Sequence, residues 1–144
     1  MQKVFLLIFF ALTTYQSSAQ IKPDQILGNW TNENQHIKLE IFKSDNHYHG
    51  KMVGGNDVYD NDGSTLKKDS KNPNKTLKEQ NLLDLEILSN FVFKDGEWIN
   101  GKYYDFKSGK SYSCNIRMSG KYLLIRSYIG FSLFGRTTQW KRLD

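Results

Sequence analysis

The feature that most constrains this chain is the density of aromatic residues in its last third. There Trp98, Tyr103, Tyr104, Tyr112, Tyr128 and Trp140 are separated by short glycine-bearing stretches. Aromatic side chains favour the pleated surface of a strand, and turn residues at such short intervals leave room only for hairpins. The pattern predicts an antiparallel sheet that closes into a small barrel.

Alternation places the strands. Ile37, Leu39 and Ile41 alternate with Lys38 and Glu40; Leu83, Leu85 and Ile87 alternate with Asp84 and Glu86, and Phe91 and Phe93 continue that parity. Each run reads as a half-buried strand with one wet face. Asp95-Gly96 is a tight-turn signal leading into a strand from Glu97 to Tyr104. In the loop Asp105–Lys110 an aspartate can bond the backbone ahead of it and Gly109 can take positive φ. Tyr112, Cys114, Ile116 and Met118 then share one face, Ser119-Gly120 turns the chain, Tyr122 to Ile129 runs back, and Arg136 to Leu143 forms the last strand.

With Gly28-Asn29-Trp30 and a strand from Tyr48 to Val53, the count reaches roughly eight, enough to close a barrel around one small ligand. The expected fold is therefore all-β, a single antiparallel, up-and-down barrel, because short loops make neighbours antiparallel. One connection is long: the polar stretch from Gly54 to Gln80. Asn72 is expected to cap a short helical turn near residues 73–80 that begins at Pro73 and carries Leu77 inward. Long loops inside a compact domain are often functional.

Residues 1–19 read as an export signal, with Lys3, an apolar run from Val4 to Leu12, and the small residues Ser17-Ser18-Ala19 before the cleavage point. The run is too short to span a bilayer. The expected mature protein is one domain, residues 20–144, in the periplasm or outside the cell. Twenty basic against 15 acidic side chains give a net charge of +5, and no run of like charge suggests a nucleic-acid groove. Cys114 is the only cysteine, so no internal disulfide forms, and its place between Tyr112 and Ile116 marks a buried small hydrophobe.

No nucleophile, base and orienting group fall into an ordered set, so no catalytic residue is expected. Asp57, Asp60 and Asp62-Gly63 lack the ligand spacing of a calcium loop, and His47-x-His49 lacks a third metal ligand. No metal or other cofactor is expected. Asp105 should organise its turn and Asp69 the entry to the Pro73 helix. Arg126 shares parity with Tyr128 and, on an inward face, the pair would bind a polar head group, although Leu123, Ile125 and Ile129 form an equally apolar set opposite. Phe131, Leu133 and Phe134 sit where a hairpin loop is normally polar. They are expected to fold over one barrel end as a lid, the alternative being an exposed patch at a ligand portal or partner surface.

Gly28-x-Trp30 near the start, with Arg136 and Arg142 in the last strand, resembles the closure device of lipocalin-type barrels, in which an arginine stacks on a first-strand tryptophan. A larger resemblance spans the chain. After Gly-x-Trp come Asp69-Ser70-Lys71-Asn72-Pro73-Asn74, then Leu82 to Leu88, then Trp98-x-x-Gly101-x-x-Tyr104-Asp105-x-x-Ser108-Gly109-Lys110-x-Tyr112, then Leu123-x-x-Arg126-x-Tyr128-x-Gly130, then Gly135-Arg136-Thr137-x-x-Trp140. This order resembles the bacterial domain-of-unknown-function 2147 family. The resemblance implies an exported, single-domain, lipocalin- or streptavidin-like barrel without an assigned activity. The chain departs from the family pattern at Asp84, Phe106 and Ser127, and at Lys78, where an arginine is usual.

The resulting expectation is a non-enzymatic exported barrel that binds a small, partly apolar or amphipathic ligand. Tyr112, Ile116, Leu85, Ile87 and Arg126 would line its interior. Tyr128, Phe131, Phe134, Asp69 and Asp105 are further candidate ligand contacts, and no nucleic-acid partner or transmembrane span is expected. The alternative is a barrel filled by its own aromatic side chains whose loops contact an envelope or host protein.

Overall fold

The computed structural model describes residues 19–144; the expected export leader lies almost wholly outside the described residues. Eight strands follow one another as β1 (Gly28–Asn32), β2 (Lys38–Ser44), β3 (His47–Gly54), β4 (Glu86–Lys94), β5 (Glu97–Asp105), β6 (Lys110–Ser119), β7 (Tyr122–Tyr128) and β8 (Arg136–Arg142). Each pairs antiparallel with the next, and β8 returns to β1 through Trp30 opposite Arg142 and Asn32 opposite Trp140, closing an up-and-down barrel. Closure leaves no sheet edge exposed.

The turns follow from their residues. Asp95 and Gly96 both take positive φ, 51° and 83°, which matches the right-handed twist of the flanking strands. The Asp105 side chain accepts from the Lys107 amide at 3.1 Å and the Ser108 hydroxyl at 2.6 Å, and Gly109 has φ 72°. Both turn assignments agree with the sequence reading.

The parity expected from Leu83 to Phe93 does not hold. Leu82 to Leu85 is a turn, with Asp84 at φ 66°, and Leu82 rather than Leu83 is fully buried. Within β4, Leu88 and Phe91 both point inward, because Asn90 takes a left-handed φ of 62° and the register against β3 shifts there. Asn100, at φ 61°, does the same for β5 between Trp98 and Gly101. Asparagine tolerates this conformation, and such bulges bend neighbouring strands together around a barrel. Gly101 is required beside them, since a Cβ there would run into the Phe91 ring.

Half of the barrel is solid. The 3₁₀ turn Pro23–Ile26 crosses the end where the tight hairpins lie, and Ile26, Trp30, Met52, Phe91, Trp98 and Leu123 fill the space behind it. The buried indoles satisfy their N–H groups on this turn: Trp30 Nε1 donates to Ile26 O at 2.8 Å and Trp98 Nε1 to Pro23 O at 3.0 Å. The Tyr48 hydroxyl donates to Asp24 at 2.6 Å and, with Lys43, lowers the pKa of that carboxyl.

The expected helix after Pro73 is a single 3₁₀ turn, Lys75–Leu77. Asn74, not Asn72, caps it by accepting from the Thr76 amide at 3.1 Å, and Leu77 is exposed rather than carried inward. Asn72 is instead engaged with Asp69, which leaves the next asparagine free to cap.

Candidate functional site

The other half of the barrel is hollow. A cavity of about 590 Å³ opens at the end where the β1–β2, β3–β4, β5–β6 and β7–β8 connections gather. Ile37, Leu39, Ile87, Leu88, Ile125 and Trp140 form its apolar floor and walls. Tyr103, Tyr112, Ser127, Thr138 and Arg136 bring polar groups to it, and Phe106, Ile129 and Phe134 stand at the rim. An apolar hollow with a few fixed polar groups, within the usual volume of roughly 300–1,000 Å³, is the common form of a small-molecule site.

Consecutive strands build the polar side. Tyr103 on β5 faces Tyr112 on β6, their rings stacked with centroids 6.3 Å apart. Burial pushes the Tyr103 phenol up to about 12, so it stays neutral and can donate across the physiological range. The Trp140 indole donates to Thr138 Oγ1 at 2.9 Å, which leaves its ring free to form wall. Phe106, 7 % exposed, tucks under the β5–β6 turn against the cavity.

Three loops are tied together at the mouth. Asp57, from the 3₁₀ turn Asn56–Val58, meets Lys107 Nζ at 2.7 Å and His36 Nδ1 at 3.5 Å. The long β3–β4 connection is held further along by Asp69, 1 % exposed. Its carboxylate accepts from Tyr104 OH at 2.8 Å, Asn72 Nδ2 at 2.7 Å and Gln80 Nε2 at 3.2 Å. Asp69 thus fastens the loop to β5 and does not line the cavity.

Arg126 is not inside. Leu123 and Ile125 take the inward face of β7, and the Arg126 guanidinium reaches along the outside to the β7–β8 connection. It donates to Ser132 O at 2.8 and 2.5 Å, to Leu133 O at 3.2 Å and to Thr137 Oγ1 at 2.9 Å. Tyr128 does line the cavity, because it stands at the strand end beside the rim. Gly135 permits the close return of this connection, since a Cβ there would meet Ser127 O at 2.8 Å.

The expected lid does not cover the barrel. Ile129, Phe131, Leu133 and Phe134 are 72, 77, 81 and 78 % exposed and form a projecting apolar lip. Ile129 and Phe134 contribute to the cavity rim, while Phe131 and Leu133 do not. Ile116 and Leu85 are also absent from the lining: Ile116 pairs with Trp98 in the filled half, and Leu85 lies in the turn before β4. Tyr112, Ile87 and Asp105 do line it.

At the closed end Arg142 Cζ stands 4.2 Å from the Trp30 ring centroid. Arg136 takes no part in this plug, because it opens β8 opposite Ser127 and lies at the cavity mouth. His47 and His49 turn to different partners, Asp45 O at 2.9 Å and Glu86 Oε1 at 2.8 Å. Among the described residues no group of three or more His, Cys, Asp or Glu side chains is arranged to hold a metal ion.

Sequence reasoning missed Phe106, Ile125 and Trp140 as cavity residues and the Asp57–Lys107 tie. An apolar residue inside a polar turn was the available signal for Phe106. Ile125 depended on which β7 face points inward, which alternation left open, and the Asp57–Lys107 tie joins loops far apart in sequence.

A closed eight-stranded barrel, plugged at one end and open to an apolar cavity at the other, defines a lipocalin-like protein. The family described as "Uncharacterized protein conserved in bacteria (DUF2147)" matches residues 28–142, and the chain belongs to it. A solved structure, "Protein HP1028 from the human pathogen Helicobacter pylori belongs to the lipocalin family", is similar at 25% identity with a TM-score of 0.72. The similarity covers 83% of this chain and 84% of that one. No curated protein matches the chain.

Proposed function

We propose that this protein is exported, loses residues 1–19, and works without catalysis as a binder of one small, largely apolar molecule held in the barrel. The observation that supports this most strongly is the hollow open half, about 590 Å³ walled by Leu39, Ile87, Ile125 and Trp140, in a barrel whose other half is tightly filled. A protein that needed only a stable scaffold would gain stability by filling that space, because cavities forfeit packing contacts. Trp30, Phe91 and Trp98 fill the closed half, whereas Tyr103, Tyr112 and Trp140 wall the open half and leave its interior to a ligand. The polar groups of Tyr103, Tyr112, Thr138 and Arg136 lie toward one side of the mouth and would orient an amphipathic molecule with its apolar part inward.

Titration with an apolar fluorescent probe tests this reading. It predicts saturable uptake at one probe per barrel and competition by long-chain acids or alcohols. Absence of uptake across a broad panel of lipids and small aromatics would overturn it.

A further inference from the structure

The apolar lip, which shares Ile129 and Phe134 with the cavity rim, and the charge of the wall behind it form a second feature. Ile129, Phe131, Leu133 and Phe134 project together from the β7–β8 connection, each at least 72 % exposed. Isolated exposed apolar residues are ordinary, but four within six positions are a concentrated surface that solvent disfavours. The lip is held in this posture: Arg126 donates to the carbonyls of Ser132 and Leu133 and to Thr137 Oγ1.

Charge identifies the occupant. From Phe106 to Leu143 the sequence carries eight lysines and arginines and no aspartate or glutamate. That stretch is the whole of β6, β7 and β8 with their connections, so one sector of the barrel is positive throughout. Acidic residues appear at its borders, Glu97 opposite Arg117 and Asp105 opposite Lys110 on the β5 side, Asp57 against Lys107 at the mouth, and Glu33 beside Lys141 on the β1 side. Arg136 and Lys110 stand at the same end as the lip, and Lys107 there is paired with Asp57. Tyr128 ends β7 at the rim of the cavity, next to the lip.

We propose that the lip and this acid-free sector dock the mouth of the barrel on an anionic lipid bilayer. Phe131, Leu133 and Phe134 enter the acyl boundary, tyrosine sits at headgroup depth, and the cations meet anionic headgroups. A bilayer suits these features better than a protein partner, since a projecting apolar tip needs no shape-matched pocket in a fluid surface and uniform positive charge needs no matched pattern of acids. Docking would also set the cavity mouth against the lipid phase.

Vesicle co-sedimentation tests the proposal, using the protein recovered after export and variants that differ only at named positions. The wild type is expected to bind vesicles of phosphatidylcholine with one-quarter phosphatidylglycerol at low salt, to bind pure phosphatidylcholine much less, and to lose most binding at high salt. The double variant Phe131→Ser/Leu133→Ser should bind the anionic vesicles about tenfold less or weaker still, because two large apolar contacts are lost. Both residues are exposed and outside the cavity lining, so this variant should keep its fold and its uptake of the apolar probe. Arg126→Gln, which frees the lip, should also weaken docking. The proposal is overturned if the wild type ignores anionic vesicles or if the double variant binds them equally. It is overturned as well if the serines instead abolish a concentration-dependent dimer seen by sedimentation velocity. Probe uptake is read separately, so failure of docking and failure of the cavity reading are distinguishable.

Discussion

Arg142 and Trp30 join the last strand to the first at the sealed end of the barrel. The guanidinium carbon lies 4.2 Å from the ring centroid, and the same group donates to Leu27 O at 2.7 Å and Gln25 O at 2.6 Å. One side chain therefore covers the indole and pins the N-terminal turn that plugs the barrel, while the indole N–H holds that turn from beneath.

This arrangement predicts unequal costs. Trp30→Ala should destabilise by about 3–5 kcal/mol, as large buried aromatic truncations do. Arg142→Ala should cost about 1–2 kcal/mol, from a solvent-facing cation–π contact and charge-assisted hydrogen bonds. Arg136→Ala, outside the plug, should stay within about 0.5 kcal/mol. Urea denaturation measures all three, and equal effects for the two arginines would contradict the assignment of the plug to Arg142.

Asp69 carries the attachment of the β3–β4 connection. Asp69→Ala strands the Tyr104 hydroxyl and the Asn72 and Gln80 amides, and should cost about 2–4 kcal/mol, against about 1 kcal/mol for Tyr104→Phe, which removes one of three donors. Limited proteolysis should then cut first between Gly54 and Gln80. Initial cleavage elsewhere in Asp69→Ala would show that this carboxylate does not anchor the loop.

Alkaline stability follows from Cys114 and Tyr103. Burial raises the Cys114 thiol from 9.0 to about 12, and Tyr103 from 10.0 to about 12. Above pH 9 the unfolded chain releases protons that the folded barrel keeps, so stability is complete below that value and falls as the pH climbs toward 12. Cys114→Ala should flatten the first part of the decline, between pH 9 and 10, and leave the later part to Tyr103. Denaturation midpoints across this range measure the effect; the native thiol should also resist alkylation at pH 8 and react once unfolded. A midpoint that rises with pH would contradict the sign.

Most of the architecture was readable from local signals. Asp95-Gly96, Ser119-Gly120 and the Asp105–Gly109 loop announce turns through residues that favour particular φ values, and the segments between them have no alternative to hairpins. The bulges at Asn90 and Asn100 escaped because an asparagine within a strand pattern signals no break, yet its left-handed conformation reverses which neighbours face inward. The site suffered more. Whether Arg126 or Ile125 faces the interior is a choice between two faces of one strand, decided only when Leu123 meets Trp140 in the closed sheet. The apolar residues of the lip stand out in the sequence, but their direction depends on the Arg126 clasp, a contact between side chain and backbone that no periodicity encodes.

Native mass spectrometry with a long-chain fatty acid shows whether the open half of the barrel receives a ligand. Ile125 lines the cavity and is 5 % exposed, so Ile125→Trp should occupy the hollow and leave the fold intact. Ile116 belongs to the filled half, where the same change should overpack and destabilise by about 1–3 kcal/mol. One added ligand mass is expected per wild-type barrel and none for Ile125→Trp. A wild type that takes up no ligand, or an Ile125→Trp barrel that takes up as much, would contradict a ligand site in the open half.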